Sequence, residues 1–418
     1  MATQQHPTVQ LADLTDDFAT DPYSAFTALR SRGPVHHVRF PTGDESWLVI
    51  GHAEVRAAFA DPRLRNDVRH SADFEGDGLY AVGRNMLQVD PPDHTRLRSL
   101  VAREFTARRV RALRPRVEEA AGALLDAVAA DGRADLVAAY AYPLPLTIIC
   151  ELLGVPEADR AAFRTWSTRV VALDDPERSA KASQEMAVYL AGLAEEKRRQ
   201  RDAAESDLLH ALVRTHHSDG DSDSDGDSDS GDRLAPEELL GMAFLLLVAG
   251  HETTVNLIAN SVQLLLGAPE QLAALRAAPD LLEGAVEETL RLESPAPAGT
   301  YRYPVEPVDL GGVRIPAGAR VVLSIAAANR DPALFPAPER FDIRRDPATT
   351  RAHLAFGHGL HHCLGAPLAR LEATLALRLL LDRFPHLAFD GDATPRWRPS
   401  LMRGPSELRV RWQPPVVT

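Results

Sequence analysis

The sequence predicts a mainly α-helical protein with small β-sheets. Apolar side chains recur at helical spacing through most of the 418 residues, in segments that Pro and Gly separate. Residues 236–266 are apolar on nearly every face, which is typical of a helix buried inside a protein. Strand-like alternation is confined to residues 35–38 and 47–50 and to a Pro- and Gly-rich region at 300–325.

The predicted elements follow one another without an internal repeat. Before the buried helix, helical spacing predicts helices at residues 23–31, 52–60, 93–105, 110–130, 144–153, 157–173 and 176–201. The first two strands flank a turn at 41–44, and residues 61–92 form a long connection of the kind that usually serves a function. Helices at 269–276, 279–292 and 364–383 complete a single domain over residues 1–418.

Composition excludes several classes of protein. The net charge of −13 argues against general nucleic-acid binding. Two cysteines, Cys150 and Cys363, exclude a disulfide framework and fit a reducing compartment. The N-terminus lacks the basic start and apolar stretch of a signal peptide, and the apolar run at 239–250 is too short to span a bilayer. We therefore expect a soluble, cytoplasmic protein without a membrane anchor.

Residues 216–233 form an acidic, low-complexity segment that holds seven aspartates. Such a segment buries too little apolar surface to offset its ordering entropy, which predicts a disordered loop. A calcium site is the alternative, because Asp221, Asp223, Asp225 and Gly226 loosely follow an EF-hand loop. The bidentate Glu that closes such a loop is missing, so the disordered loop is the favoured interpretation.

The segment 356–365 presents one cysteine on a loop with little bulk. It reads Phe-Gly-His-Gly-Leu-His-His-Cys-Leu-Gly, and its glycines allow backbone conformations that a Cβ would forbid. Nearby backbone N–H groups can then donate hydrogen bonds to the sulfur of Cys363 and tune its donation to a metal. The alternative is a small buried thiol, the usual state of a free cysteine.

This loop resembles the cysteine loop of the cytochrome P450 family. The resemblance implies that Cys363 is the axial thiolate ligand of haem b, iron protoporphyrin IX, and that Phe356, Gly357 and Gly365 surround it. The similarity runs from Asp21 to the C-terminal strands. It implies the fold of that family, in which the haem lies between the long central helix and the cysteine loop with its helix.

The middle of the long helix reads Ala-Gly-His-Glu-Thr-Thr at residues 249–254. A Thr hydroxyl in a helix can bond a backbone carbonyl one turn back and open the helix locally. The segment matches the oxygen-activation motif of the family, which assigns proton delivery to Glu252 and Thr253 and a haem contact to Ala249. A purely structural role for these polar residues is the alternative.

Four basic residues match the haem-propionate contacts of the family: His94, Arg98, Arg302 and His361. The alternative for each is a solvated charge. Glu288 and Arg291 share a helix face at i and i+3 and match the family's Glu-x-x-Arg motif. With Arg340 they would form its structural triad.

The expected substrate pocket is lined by small or aliphatic side chains, which suits a bulky apolar molecule. Its residues are Met86, Leu87, Phe244, Val248, Ala298, Leu401 and Met402. Segments 249–256 and 300–307 resemble bacterial macrolide and polyketide hydroxylases, which favours a large secondary metabolite. Asp73, Glu75 and Asp77 would attract a cationic amino sugar, or else are solvated loop carboxylates.

The resemblance implies a monooxygenase that uses O2 and receives electrons from a ferredoxin and its ferredoxin reductase. A basic patch for the ferredoxin is expected at Arg103, Arg108, Arg109 and Arg370, and a solvated basic face is the alternative. Two rival functions stay open. The enzyme would act on steroids or fatty acids, by hydroxylation, epoxidation or coupling, or the protein would be a haem-thiolate sensor.

Overall fold

The computed structural model describes residues 7–74, 82–200, 207–216, 234–391, 396–397 and 400–413. Most of the acidic segment lies outside these residues, and so does the calcium alternative. Glu75 and Asp77, two of the three carboxylates expected to attract an amino sugar, also lie outside them. The helices of the described residues are α1 Tyr23–Arg30, α2 His52–Ala60, α3 Asp93–Ala102, α4 Ala107–Ala112, α5 Arg114–Val128, α6 Pro143–Leu153, α7 Arg160–Val170, α8 Pro176–Arg199, α9 Leu208–His216, α10 Pro236–Gly267, α11 Pro269–Ala277, α12 Leu282–Leu292, α13 Ile325–Ala328, α14 Pro347–Thr350 and α15 Ala366–Arg383.

The strands are short and form four small sheets. They are β1 Val9–Gln10, β2 Val35–Arg39, β3 Glu45–Val49, β4 Leu64–Arg65, β5 Arg133–Asp135, β6 Tyr303–Pro304, β7 Val308–Leu310, β8 Val313–Ile315, β9 Val321–Leu323, β10 Ala388–Phe389 and β11 Arg409–Arg411. The largest sheet has the order β1-β2-β3-β9, with β2 and β3 antiparallel and Val35 opposite Val49. The others are β10-β11-β5, β4-β6 and β7-β8.

The predicted mainly helical class is confirmed, and differences occur where local chemistry interrupts a pattern. The helix expected at 110–130 is divided at Leu113 into α4 and α5. Pro115 explains the division, because it has no N–H to continue the helical ladder. Helix α9 and a π-helix at Val137–Ala141 were not predicted.

Helix α10 is the structural centre of the protein. It is the one helix of the described chain that is long and apolar enough to cross a membrane, but 72% of its apolar window is buried, as in a core helix. Its N-terminal half packs with α6, α8 and α9, and its C-terminal half packs with α5, α12 and α15. At Gly250 a Cβ would lie 2.8 Å from Ile149 of α6, so the close crossing of these two helices requires glycine.

A buried ion cluster on α12 fixes the chain that leads to the cysteine loop. Arg291 donates two hydrogen bonds of 2.8 Å to the carboxylate of Glu288, and both side chains are fully buried. The second cation on this carboxylate is Arg345, whose Nε lies 3.2 Å from Glu288 Oε2. Arg340 was predicted for that position, but its side chain is exposed and only its backbone carbonyl accepts from Arg291 and Arg345.

Arg345 also fixes a constrained turn. It donates to the carbonyl of Pro336 at 2.6 Å and to that of Ala337 at 3.3 Å. Ala337 has φ 47°, a value that residues with a Cβ rarely adopt. The assignment by motif therefore located the right segment and the wrong cation.

We expect Arg345→Met to lower the free energy of unfolding by on the order of 3 kcal/mol, because it leaves part of a buried ion cluster uncompensated. Arg340→Met keeps the backbone carbonyl and replaces only an exposed side chain, so its effect should stay within about 0.5 kcal/mol. Urea unfolding followed by tryptophan fluorescence measures both. Equal destabilisation by the two variants would contradict the assignment of Arg345.

Candidate functional site

The cysteine loop is held by its own backbone. The amide of Cys363 donates to the carbonyl of Phe356 at 2.8 Å, and the amide of His362 donates to that of Gly359 at 3.1 Å. Gly357 and Gly359 have φ of 70° and 71°, in the left-handed region that favours glycine. A Cβ on Gly359 would also lie 3.0 Å from the carbonyl oxygen of Phe59 on α2. Both glycines are therefore needed for this loop to turn beside α2.

Cys363 keeps exposed surface although protein surrounds it closely. Burial has the largest effect and raises the pKa of the Cys363 thiol, while backbone N–H groups of Gly365 and Ala366 and the charges of Arg98 and Arg370 oppose it. Donors directed at the sulfur favour the thiolate, which is the form that binds iron.

Phe356 supports the loop through a second ion cluster. The guanidinium carbon of Arg370 lies 4.5 Å from the centre of the Phe356 ring, and Arg370 donates to both oxygens of Glu287 at 2.5 and 3.0 Å. His353 Nε2 lies 3.1 Å from the same carboxylate. Burial would raise the pKa of Glu287, but the hydrogen bonds and charges of His353 and Arg370 hold it at about 2.

The four residues predicted to contact haem propionates converge. The rings of His94 and His361 have centroids 4.3 Å apart. Burial lowers the pKa of His361 to about 3, and the charges of His94, Arg302 and Arg98 add to this effect. Arg302 is 2% exposed, and burial lowers its pKa to about 10. Within the described ranges, none of the four forms an ion pair.

These residues fit a haem with a thiolate ligand. Both ring nitrogens of His94 are buried without a hydrogen-bond partner, which is costly unless a further group meets them. The guanidinium groups of Arg98 and Arg302 have no ion-pair partner among the described residues, and the two propionates of haem would pair with them. Cys363 would supply the thiolate ligand of the iron.

One strip of α10 keeps accessible surface and so borders open space, which we call the cavity. Ala249 is exposed, and Val248 and Thr253 are partly exposed, although helices surround α10. The Thr253 hydroxyl donates to the carbonyl of Ala249 at 3.0 Å, one turn back along the helix. Thr253 and Ala249 therefore lie on the cavity side of α10, where the sequence motif predicts the oxygen-activating residues.

Glu252 points away from this strip into a buried polar cluster. Its Oε1 accepts a hydrogen bond of 2.8 Å from the Tyr142 hydroxyl and lies 3.5 Å from His251 Nε2. Ser167 Oγ lies 2.6 Å from the Tyr142 oxygen and 3.0 Å from His251 Nε2. In the part of the chain that the structure describes, no hydrogen bond joins the side chains of Glu252 and Thr253. Sequence reasoning missed Tyr142 and Ser167, which are distant from the motif along the chain.

Three of the predicted pocket residues pack against one core cluster. They are Met86, Phe244 and Val248, and Leu364, which follows Cys363, packs against the same cluster. Ala298 contacts a different cluster, around the largest sheet. Leu87 and Met402 are half-buried, and Leu401 is 53% exposed. Asp73, the one described residue of the three carboxylates expected to attract an amino sugar, is exposed.

Asn66 and Phe59 also shape this region and were not predicted. Asn66 donates to the carbonyl of Leu87 at 3.0 Å and to the hydroxyl of Thr300 at 2.9 Å, which joins two pocket segments. The Phe59 ring lies 5.6 Å below the guanidinium carbon of Arg302. No motif marks either residue, because each acts through a contact that only the fold creates.

Comparisons with known proteins cover nearly the whole chain. The cytochrome P450 family model matches residues 164–412. The cytochrome P450 monooxygenase PikC of Streptomyces venezuelae is 55% identical over 98% of this chain and 96% of its own length. The 6-deoxyerythronolide B hydroxylase of Saccharopolyspora erythraea is 44% identical over 95% of this chain and 97% of its own. The solved structure of the tirandamycin C-bound P450 monooxygenase TamI matches with a TM-score of 0.86 and 42% identity, over 97% of this chain and 100% of that one.

Stability in acid tests the Glu287 cluster. Because the pKa of Glu287 falls from its ordinary 4.5 to about 2 in the folded protein, its contribution is full above pH 4.5 and is lost as the pH falls towards 2. The loss is on the order of 3 kcal/mol. We expect Glu287→Gln to remove this part of the pH dependence of unfolding between about pH 6 and pH 3.

Glu283→Gln is the matched control, since Glu283 lies on the same helix with an exposed side chain. It should keep the pH dependence of the unchanged protein. If Glu287→Gln and the unchanged protein lost stability in parallel over this range, the lowered pKa would be refuted.

Proposed function

Because the chain belongs to the cytochrome P450 family, and is therefore a haem-thiolate monooxygenase, we propose that its substrate is a bulky apolar secondary metabolite such as a macrolide or other polyketide. The observation that supports this most is the similarity, over almost the full length, to PikC and to a hydroxylase of 6-deoxyerythronolide B. The reaction is hydroxylation or epoxidation of that substrate.

The chain's residues have distinct parts in holding the cofactor. Cys363 would provide the thiolate ligand, and the N–H groups of Gly365 and Ala366 would stabilise its charge. His94, Arg98, Arg302 and His361 would hold the propionates. A haem held by these residues would supply the activation of O2 and the transfer of one oxygen atom. The protein decides which carbon of the substrate is presented.

Proton delivery belongs to α10. Thr253 lies on the cavity side and holds its hydroxyl against the carbonyl of Ala249. Glu252, the residue before Thr253 on the helix, carries the carboxyl group from which protons pass towards the cavity. A haem-thiolate sensor needs no such pair, so these residues favour a monooxygenase over that rival.

The pocket selects its substrate by apolar contact. Met86, Phe244 and Val248 present partly buried apolar surface and pack against the same core cluster as Leu364. Such surfaces retain apolar ligands by removing their area from water and do little to discriminate small changes in polarity. A large, mostly apolar ring system suits this surface.

Electrons arrive from a ferredoxin with its ferredoxin reductase. Of the basic patch, Arg103 and Arg108 are exposed on the segment after α3. Arg109 pairs with Glu104, and Arg370 pairs with Glu287. Arg103 and Arg108 are thus the members best placed to attract an acidic partner.

Titration of the Soret band of the purified ferric holoenzyme identifies the substrate class. We expect a low-spin to high-spin shift with macrolactones or glycosylated macrolides, because a bound substrate displaces the water on the iron. Steroids and fatty acids serve as the comparison set. A shift with these compounds alone would overturn the macrolide and polyketide proposal and leave the monooxygenase assignment intact.

Charge reversal tests ferredoxin docking. Arg108→Glu should slow reduction by a fixed concentration of ferredoxin about tenfold at low salt, with the difference shrinking as salt screens the charges. Arg32→Glu, which reverses an exposed charge after α1 and outside the patch, is the control and should reduce normally. Equal rates for the two variants at every salt concentration would exclude Arg108 from the docking surface.

A further inference from the structure

The buried Glu252 carboxylate stands at the end of a directed chain of hydroxyl groups. Tyr142 donates to Glu252 Oε1 at 2.8 Å, and Thr168 of α7 donates to the Tyr142 oxygen at 3.3 Å. Glu252 is 2% exposed and Tyr142 is 3% exposed, whereas Thr168 is partly exposed. Of the three, Thr168 is the member that water reaches. Each donor in this chain points towards the carboxylate.

Two further side chains hold this chain in position. His251 Nδ1 lies 2.7 Å from the carbonyl of Leu247 and must donate to it, which leaves Nε2 to face Ser167 and Glu252. Ser167 Oγ lies 2.6 Å from the Tyr142 oxygen and also donates to the Phe163 carbonyl at 2.9 Å. The phenol of Tyr142 is thereby fixed between Ser167 and Glu252.

The polar groups around Glu252 favour its ionised form. Burial opposes the carboxylate, but His251, Tyr142 and Ser167 together lower the pKa of Glu252 below its ordinary value. Arg164 also carries a charge near this cluster, because its guanidinium carbon lies 4.8 Å from the centre of the Tyr142 ring. Glu252 is therefore ionised at neutral pH and needs a source from which to be protonated.

We propose that Thr168 and Tyr142 form a hydroxyl relay that supplies solvent protons to Glu252. A water proton binds the Thr168 oxygen, the Thr168 hydrogen passes to Tyr142, and the Tyr142 hydrogen passes to the Glu252 carboxylate. Both hydroxyls end with one hydrogen, and the solvent has lost the proton that Glu252 gains. Thr168 and Tyr142 carry the proton in this scheme, and Ser167 and His251 are positioning residues. The relay rests on the proposed role of Glu252 in proton delivery.

A purely structural cluster is the rival interpretation, and the two differ at Thr168. Among the described side chains of the cluster, the Thr168 hydroxyl hydrogen-bonds only Tyr142, so its removal interrupts supply and leaves the hydrogen bonds to Glu252 in place. Removal of the Tyr142 hydroxyl interrupts both. The informative variants are therefore Thr168→Val and Tyr142→Phe. Thr165→Val is the matched control, because Thr165 lies on the same helix and bonds only the carbonyl of Ala161.

The first measurement is product formed per NAD(P)H consumed by the reconstituted holoenzyme, in light and heavy water. We expect a loss of about threefold for Thr168→Val and about tenfold for Tyr142→Phe. These losses are smaller than the roughly hundredfold or greater contribution of a general acid or base at the reacting group, because both residues act through Glu252. Both should enlarge the solvent isotope effect, and Thr165→Val should change neither quantity. Thr168→Val that matches Thr165→Val in both quantities would overturn the relay.

The second measurement does not depend on turnover. Infrared difference spectra of the ferric protein, with Glu252→Gln as the reference, follow the protonation of the Glu252 carboxyl with pH. Tyr142→Phe should raise the pKa of Glu252, because a donor to the carboxylate is lost, and Thr168→Val should leave it unchanged. An equal rise in both variants would mean that Thr168 acts on the support of Glu252 and would overturn the separate role in supply.

Glu252→Gln separates failure of the relay from failure of the proposed function. If Glu252→Gln loses product per NAD(P)H while Thr168→Val and Tyr142→Phe retain it, proton delivery by Glu252 stands and the relay is refuted. If Glu252→Gln itself retains full yield, the proposed role of Glu252 is refuted, and the relay is refuted with it.

Discussion

The site depends on keeping one sulfur ionised where the surrounding protein opposes charge. Burial raises the pKa of the Cys363 thiol, and backbone N–H groups at the start of α15 are what lie close enough to oppose it directly. Those groups reach the sulfur because the loop reverses through positive φ at Gly357 and Gly359. The loop itself is supported by Arg370, which lies over the Phe356 ring. The iron ligand is therefore supported through backbone geometry first and through fixed charges second.

Two consecutive glutamates connect the cysteine loop and Arg370 to the rest of the fold. Neighbouring positions on a helix differ by about 100°, so Glu287 and Glu288 of α12 face different elements. Glu287 binds Arg370 of the cysteine helix, and Glu288 binds Arg291 and Arg345, which fix the turn before the loop. Helix α12 thus fixes both the turn before the cysteine loop and the helix after it. Compared with apolar residues of similar volume, a buried ion pair contributes little net stability, although removal of one partner is costly. What these pairs provide is fixed geometry, which a metal ligand requires.

Sequence reasoning was accurate where one segment contains its own physical cause. Helix α2 has the predicted bounds, and α10 differs from its prediction by one residue, because apolar periodicity determines both. The choice of Arg340 over Arg345 was wrong, because a motif identifies a segment but cannot tell which side chain turns inward. Tyr142 could not be predicted as a partner of Glu252, since 110 residues separate them and only the packing of α6 against α10 joins them. Contacts between distant elements leave no pattern in a single sequence.

The two sides of the haem site use different polar chemistry, and the difference follows from what each must do. Below the cysteine loop, the polar groups are arginines and carboxylates that form ion pairs of fixed geometry. Around Glu252 they are hydroxyls and an imidazole, which exchange donor and acceptor roles by rotating or by moving a proton. Because Glu252 and Thr253 are consecutive on α10, they face this mobile cluster and the cavity respectively. Helix α10 can thus receive protons at Glu252 on one face and present the Thr253 hydroxyl on the other. The ion pairs below the cysteine loop meanwhile keep Cys363 in position.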